Sequence, residues 1–235
     1  MERGGSAREG AGPLPAHGGL LVLTAHVLVA PFGLSETASP LAVFLEATLF
    51  AVLVVVLIGV AAHRVQLLVC LALVGVATAI RLVAPADAAV PQASADAALV
   101  GCGAVAMWRS VSLILRTFSL SGALISASIG LYLLAGITWA LAFHAVAILQ
   151  PGSFALAGTP AEATPADLYF FSFVTLTTLG YGDISPVLPF ARSLAVIEAV
   201  FGQVFLVALL GRIVSVQVAG MQTAANRETE PGRAP

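Results

Sequence analysis

The residues most open to unusual chemistry are two glycines, Gly180 and Gly182. They follow at once on a largely apolar and aromatic run of 13 residues, Ala166 to Thr178. A helix needs about 20 apolar residues to cross a bilayer core of roughly 30 Å. This run is too short to cross, and the glycines stop it from continuing. A half-length apolar helix ending in a glycine-containing loop reads as a re-entrant segment. Irregular backbone is tolerated at membrane depth only where protein buries it or it lines a water-filled cavity. The chemistry available here is therefore that of bare backbone along an aqueous path. Two polar residues, Glu198 and Gln203, interrupt an apolar run further on. An acid inside a span is a functional candidate by default. No nucleophile, catalytic dyad or phosphate cradle is recognisable, so no enzyme is read. Cys70 and Cys102 lie in apolar runs without CxxC spacing and read as small core residues.

Composition says what must position these residues. Of 235 residues, 59% are apolar and 9% charged, and the net charge is −2; an ordinary soluble domain is roughly 25% charged. So little polar surface cannot cover a water-soluble globule, and the balance offers no basic patch for nucleic acid. Six apolar runs read as spans: 18–34, 41–62, 65–84, 97–116, 122–149 and 193–220. The first is short and interrupted by His26 and Pro31, and it also fits a signal segment. With the chain starting inside and crossing six times, eight of the ten basic residues, all arginines, fall on the inner side. That is the expected bias of cytoplasmic loops. Glu36, Asp87, Asp96, Glu162, Asp167 and Asp183 then fall outside. Residues 1–17 and 222–235, rich in Gly, Pro, Ala and charge, read as disordered cytoplasmic tails.

Thr175 to Asp183 read TLTTLGYGD, and the stretch from Tyr169 to Pro186 reads YFFSFVTLTTLGYGDISP. This resembles the selectivity-filter signature and pore loop of bacterial potassium channels. The resemblance covers a pore module, 117–221, under half the chain: outer helix 122–149, pore helix 166–178, filter 178–183 and inner helix 190–220. A potassium ion sheds its water only where fixed oxygens replace it, and in such filters these are backbone carbonyls. Glycine admits the left-handed backbone that turns successive carbonyls to one side. The resemblance implies K+ sites at the carbonyls of Thr178, Leu179, Gly180 and Tyr181, with Gly182 completing the filter and the Thr178 hydroxyl adding the innermost ligand. Leu179 stands where valine is common. The filter string occurs once, so four chains are required to enclose an ion.

The same resemblance nominates supports. Phe170 and Phe171 stand where many members carry tryptophans bonded to the filter. Phenylalanine has no N–H, which leaves Tyr169 or Ser172 as substitutes. Val174 replaces a glutamate that some members pair with the filter aspartate, here Asp183. The C-terminal end of the pore helix, near Thr177, presents the negative end of its dipole to a cation. Gly202 lies nineteen residues beyond Asp183, where the inner helix of the family has its hinge glycine; close helix packing explains a glycine there equally. Gln203 reads as a cavity wall and Gly211 as a position near the cytoplasmic gate. Glu198, one turn before Gly202, packs behind the filter in a protonated or hydrogen-bonded form, as structural glue or as an ion-attracting or pH-sensing group.

Voltage sensing needs several arginines at every third position of one helix, and 97–116 offers only Arg109 and Arg116, which read as topological anchors. Glu46 and Arg81 are placed to pair across two spans, and His144 reads as an interfacial residue. The expectation is an all-α membrane protein: about six transmembrane helices with a re-entrant pore helix and filter loop, assembled as a homotetramer. It conducts K+ passively across the plasma membrane, has both termini cytoplasmic, and uses no cofactor, K+ being the permeant ion. The alternatives are a weakly selective cation channel and a non-conducting scaffold or modulatory subunit. The short C-terminal tail suggests no nucleotide- or calcium-binding regulatory domain.

Overall fold

The computed structural model describes residues 64–85, 88–116, 122–160 and 162–229. The expected segments at 1–17, 18–34 and 41–62, together with Glu36, Glu46 and Asp87, lie outside the described residues. The elements run α1 (Arg64–Val83), α2 (Ala89–Arg116), α3 (Gly122–Leu149), β1 (Phe154–Leu156), β2 (Thr159–Pro160), α4 (Pro165–Leu176), β3 (Ile184–Pro186) and α5 (Pro189–Thr229). Two described stretches, Ser128–Leu149 of α3 and Pro189–Arg212 of α5, are long and apolar enough to cross a membrane.

Helices α1, α2 and α3 meet through small residues. Cys70 and Ala77 of α1 pack with Cys102 and Ala106 of α2, and these with Leu134 and Ala140 of α3. Without a hydrophobic drive between helices in lipid, small side chains that let backbones approach are what closes such interfaces. Both cysteines are unoxidised and buried here.

Three expectations need correction. The helix containing 97–116 begins at Ala89, so Asp96 sits two turns inside α2, fully buried, rather than in an outer loop. Arg81 pairs with Asp96; its expected pairing with Glu46 involves a residue outside those described. His144 bonds the other carboxylate oxygen of Asp96 through Nδ1 at 2.7 Å, so it is a partner in a buried cluster and not merely interfacial. Residues 222–229, read as tail, continue the helix of α5.

The all-α expectation also misses a small sheet. Three short strands pair in the order β2-β1-β3, with Ala155 opposite Pro160 and opposite Ser185. Ala157 and Gly158, both at positive φ (48° and 80°), form the two-residue turn of the β1–β2 hairpin, the combination that matches strand twist. Strands of two and three residues carry no alternation long enough to be read from sequence. The sheet buries Phe154 and Ile184 against Phe143 of α3, Leu168 and Phe171 of α4, and Ala191 of α5.

Candidate ion-conducting site

The half-length helix α4 is defined at both ends by local chemistry. Thr164 is its N-cap: its Oγ1 accepts from the Asp167 amide at 3.2 Å, and the Asp167 carboxylate accepts from the Thr164 amide at 2.9 Å. This reciprocal capping, with Pro165 at the first helical position, fixes the start. The helix stops at Leu176, two residues before the expected limit of 178. Thr177 caps it, donating its amide to the Phe173 carbonyl at 3.0 Å, and Thr178 has already turned to φ 61°.

From there the backbone alternates in hand. Thr178, Gly180 and Gly182 take φ of 61°, 60° and 80°, while Leu179 and Tyr181 between them stay at negative φ. Regular L-strand geometry sends successive carbonyls to opposite sides; reversing the hand at every second residue brings them to one side. The two glycines do this at no steric cost. Thr178 adopts the left-handed region without that freedom, a feature that residue type alone did not announce. The loop starts tucked under the helix, with the Leu179 and Gly180 amides donating to the Val174 carbonyl at 2.9 and 3.4 Å.

The supports divide. Phe170 stacks on Tyr181 with ring centroids 6.1 Å apart and planes at 7°, so the filter is braced against α4 there by ring contact. Phe171 turns the other way, into Phe143 and Phe154 at 5.0 and 5.5 Å. Ser172 does not reach the filter: its hydroxyl lies 2.8 Å from the Gly136 carbonyl and 2.5 Å from Glu198 Oε1. Tyr169 packs against Phe173, with ring centroids 5.2 Å apart and planes tilted at 40°. Asp183 ties the filter's outer end to the sheet, its carbonyl accepting from the Ala157 amide at 2.6 Å and its carboxylate from the Ile184 amide at 3.0 Å. Thr177 returns its hydroxyl to the Phe173 carbonyl at 2.6 Å.

Behind the filter, α3, α4 and α5 meet in two layers one helical turn apart. One layer holds Gly136, Ser172 and Glu198. The other holds Tyr132, Leu176 and Gly202, each four residues from its counterpart and so on the same helix face. The Tyr132 hydroxyl donates to the Leu176 carbonyl at 3.0 Å. A methyl group on Gly202 would overlap that same carbonyl oxygen, and one on Gly136 would come within 2.6 Å of the Phe173 ring. Gly202 thus has a packing role at the foot of the filter within a continuous helix, beside the hinge role expected of it. Tyr132 was not singled out by sequence, since an isolated tyrosine in an apolar run signals nothing about its partner. Gln203 and Gly211 are exposed on α5.

A half-length helix returning through a loop of alternating hand, set between two apolar helices of spanning length, defines a pore-loop ion-channel module. Residues 131–218 match the family described as ion channel. Over 85 residues the chain is 36% identical to two pore potassium channel c of Oryza sativa subsp. japonica, covering 36% of this chain and 18% of that relative. Over 77 residues it is 36% identical to the inward rectifier potassium channel Kirbac3.1 of Paramagnetospirillum magnetotacticum, covering 31% of this chain and 22% of that relative. The chain therefore spans about a fifth of the length of these curated relatives. The matched stretch, 131–218, is thus similar to the pore-loop region of potassium channels.

Proposed function

We propose that the chain is one subunit of a homotetrameric, potassium-selective channel that passes K+ down its gradient through a ring of backbone carbonyls. The observation that carries this reading is the alternating hand at Thr178, Gly180 and Gly182 within TTLGYGD. Carbonyls of Thr178, Leu179, Gly180 and Tyr181 supply the ion sites, and no cofactor takes part. Assembly is supported by how bare the loop is in one chain. Leu179 and Tyr181 are 59% and 66% exposed, and methyl groups on Gly180 or Gly182 would meet nothing within 4 Å. Val200, Val204 and Val207 of α5 are also exposed and offer an apolar face to neighbouring copies. The arginine distribution supports a plasma-membrane protein of six spans with both termini cytoplasmic.

The test is flux and reversal potential of the purified full chain in vesicles under K+ and Na+ gradients. K+-selective current is expected. Gly180→Ala is expected to abolish it with the oligomer intact, because left-handed backbone costs an L-residue about 1–2 kcal/mol. A reversal potential indifferent to exchanging K+ for Na+ would leave a non-selective cation pore instead, and absence of current would favour a modulatory subunit.

A further inference from the structure

Glu198 is fully buried on α5, and the ion pairs among the described residues do not include it. Its Oε1 lies 2.5 Å from the Ser172 hydroxyl, while Oε2 is buried with no hydrogen-bond partner. The same hydroxyl lies 2.8 Å from the Gly136 carbonyl. A serine hydroxyl has one hydrogen to give, and a backbone carbonyl can only accept. If that hydrogen goes to Gly136, the contact with Glu198 needs a hydrogen from the carboxyl group. If it goes to an ionised Glu198 instead, two bare oxygens face each other at 2.8 Å. Half of a buried carboxylate would then also stand unpartnered, a far heavier penalty than an unpartnered neutral C=O.

We propose that Glu198 is carried as the neutral acid and donates to Ser172, which donates to the Gly136 carbonyl, so that one directed relay pins the pore helix to both flanking spans. The inference rests on the channel reading above, and it makes Glu198 a positioning residue. Ser172 stands two residues before Val174, whose carbonyl holds the Leu179 and Gly180 amides. Any movement of that turn of α4 is therefore handed directly to the filter backbone.

The experiment uses the full chain reconstituted in vesicles and has two arms. In the first, an infrared difference spectrum of wild type minus Glu198→Gln reads the protonation state, since the substitution replaces only this carboxyl group. A positive carbonyl band of a protonated carboxylic acid is expected; a carboxylate band in its place would overturn the proposal. In the second arm, K+ over Na+ flux is compared across variants. Glu198→Ala and Ser172→Ala should each lower the ratio by about tenfold, the upper range for one lost hydrogen bond. Glu198→Gln keeps a neutral donor on the same frame and should recover at least half of the wild-type ratio. A Glu198→Gln channel as impaired as Glu198→Ala would also overturn it. If Glu198→Ala fails to assemble, the spectrum and the Glu198→Gln ratio still decide. A wild type that passes no K+ would defeat the channel reading, and the infrared band would still judge the relay.

Discussion

Helix α3 carries a buried acid contact on each of two sides, and the two are built on opposite principles. Toward α1 and α2 it meets Asp96, which is held between Arg81 and His144. Toward α4 and α5 it meets Glu198, whose sole described partner is the Ser172 hydroxyl. The first cluster brings an arginine and a histidine to the acid from two other helices and satisfies both of its oxygens. The second has no cation and leaves one oxygen bare. Taking a charge out of water costs several kcal/mol, which good ion-pair geometry can offset and a lone hydroxyl cannot. An acid held by an arginine and a histidine thus suits the join of α1, α2 and α3. A fixed negative charge beside the filter would add its own field to the one a permeating ion meets, and a neutral relay transmits position without it.

Breaking the paired side should have the largest effect. Asp96→Ala removes the acid that bonds Arg81 across the α1–α2 join and His144 on α3, and removing one partner of a buried pair costs about 3–5 kcal/mol. A marked fall in the thermal midpoint of the purified protein is expected, with the K+ over Na+ ratio of surviving channels near wild type. A lost ratio with unchanged stability would show that the cluster acts on the filter after all.

The neutral side should respond in the other currency. Gly202→Ala forces a methyl group onto the Leu176 carbonyl, and overpacking of this kind costs about 1–3 kcal/mol. Reduced selectivity together with weakened assembly is expected from single-channel recording beside an assay of oligomeric state. A lower open probability at unchanged conductance, selectivity and assembly would instead restore Gly202 as a hinge.

The smallest change is Tyr132→Phe. It deletes one hydrogen bond to the same carbonyl, worth about 0.5–1.5 kcal/mol, and leaves the ring in place. A modest loss of K+ over Na+ ratio is expected with thermal stability within a few degrees of wild type. An unchanged ratio would mean that Gly202 packing alone seats the end of the pore helix, sharpening the contrast to a single contact.

How much of this was legible beforehand follows from the range of each interaction. The short α4 was readable because its limits are local: Thr164, Pro165 and Asp167 start it, and the glycines prevent it from running on. The composition required a membrane setting, and the TLTTLGYGD string marked the loop whose backbone alternates in hand, since glycine's freedom at Gly180 and Gly182 is a property of the residue itself. Thr178 at positive φ was not readable, because its conformation is imposed from both sides by the helix end and the alternation that follows. The Arg81–Asp96–His144 cluster and the layers of Gly136, Ser172 and Glu198 and of Tyr132, Leu176 and Gly202 join residues up to 63 and 70 positions apart. Each helix face by itself declares only a four-residue repeat. Which repeat meets which depends on how the helices slide and rotate against one another, and the close approaches at Gly136 and Gly202 exist only once the helices are packed.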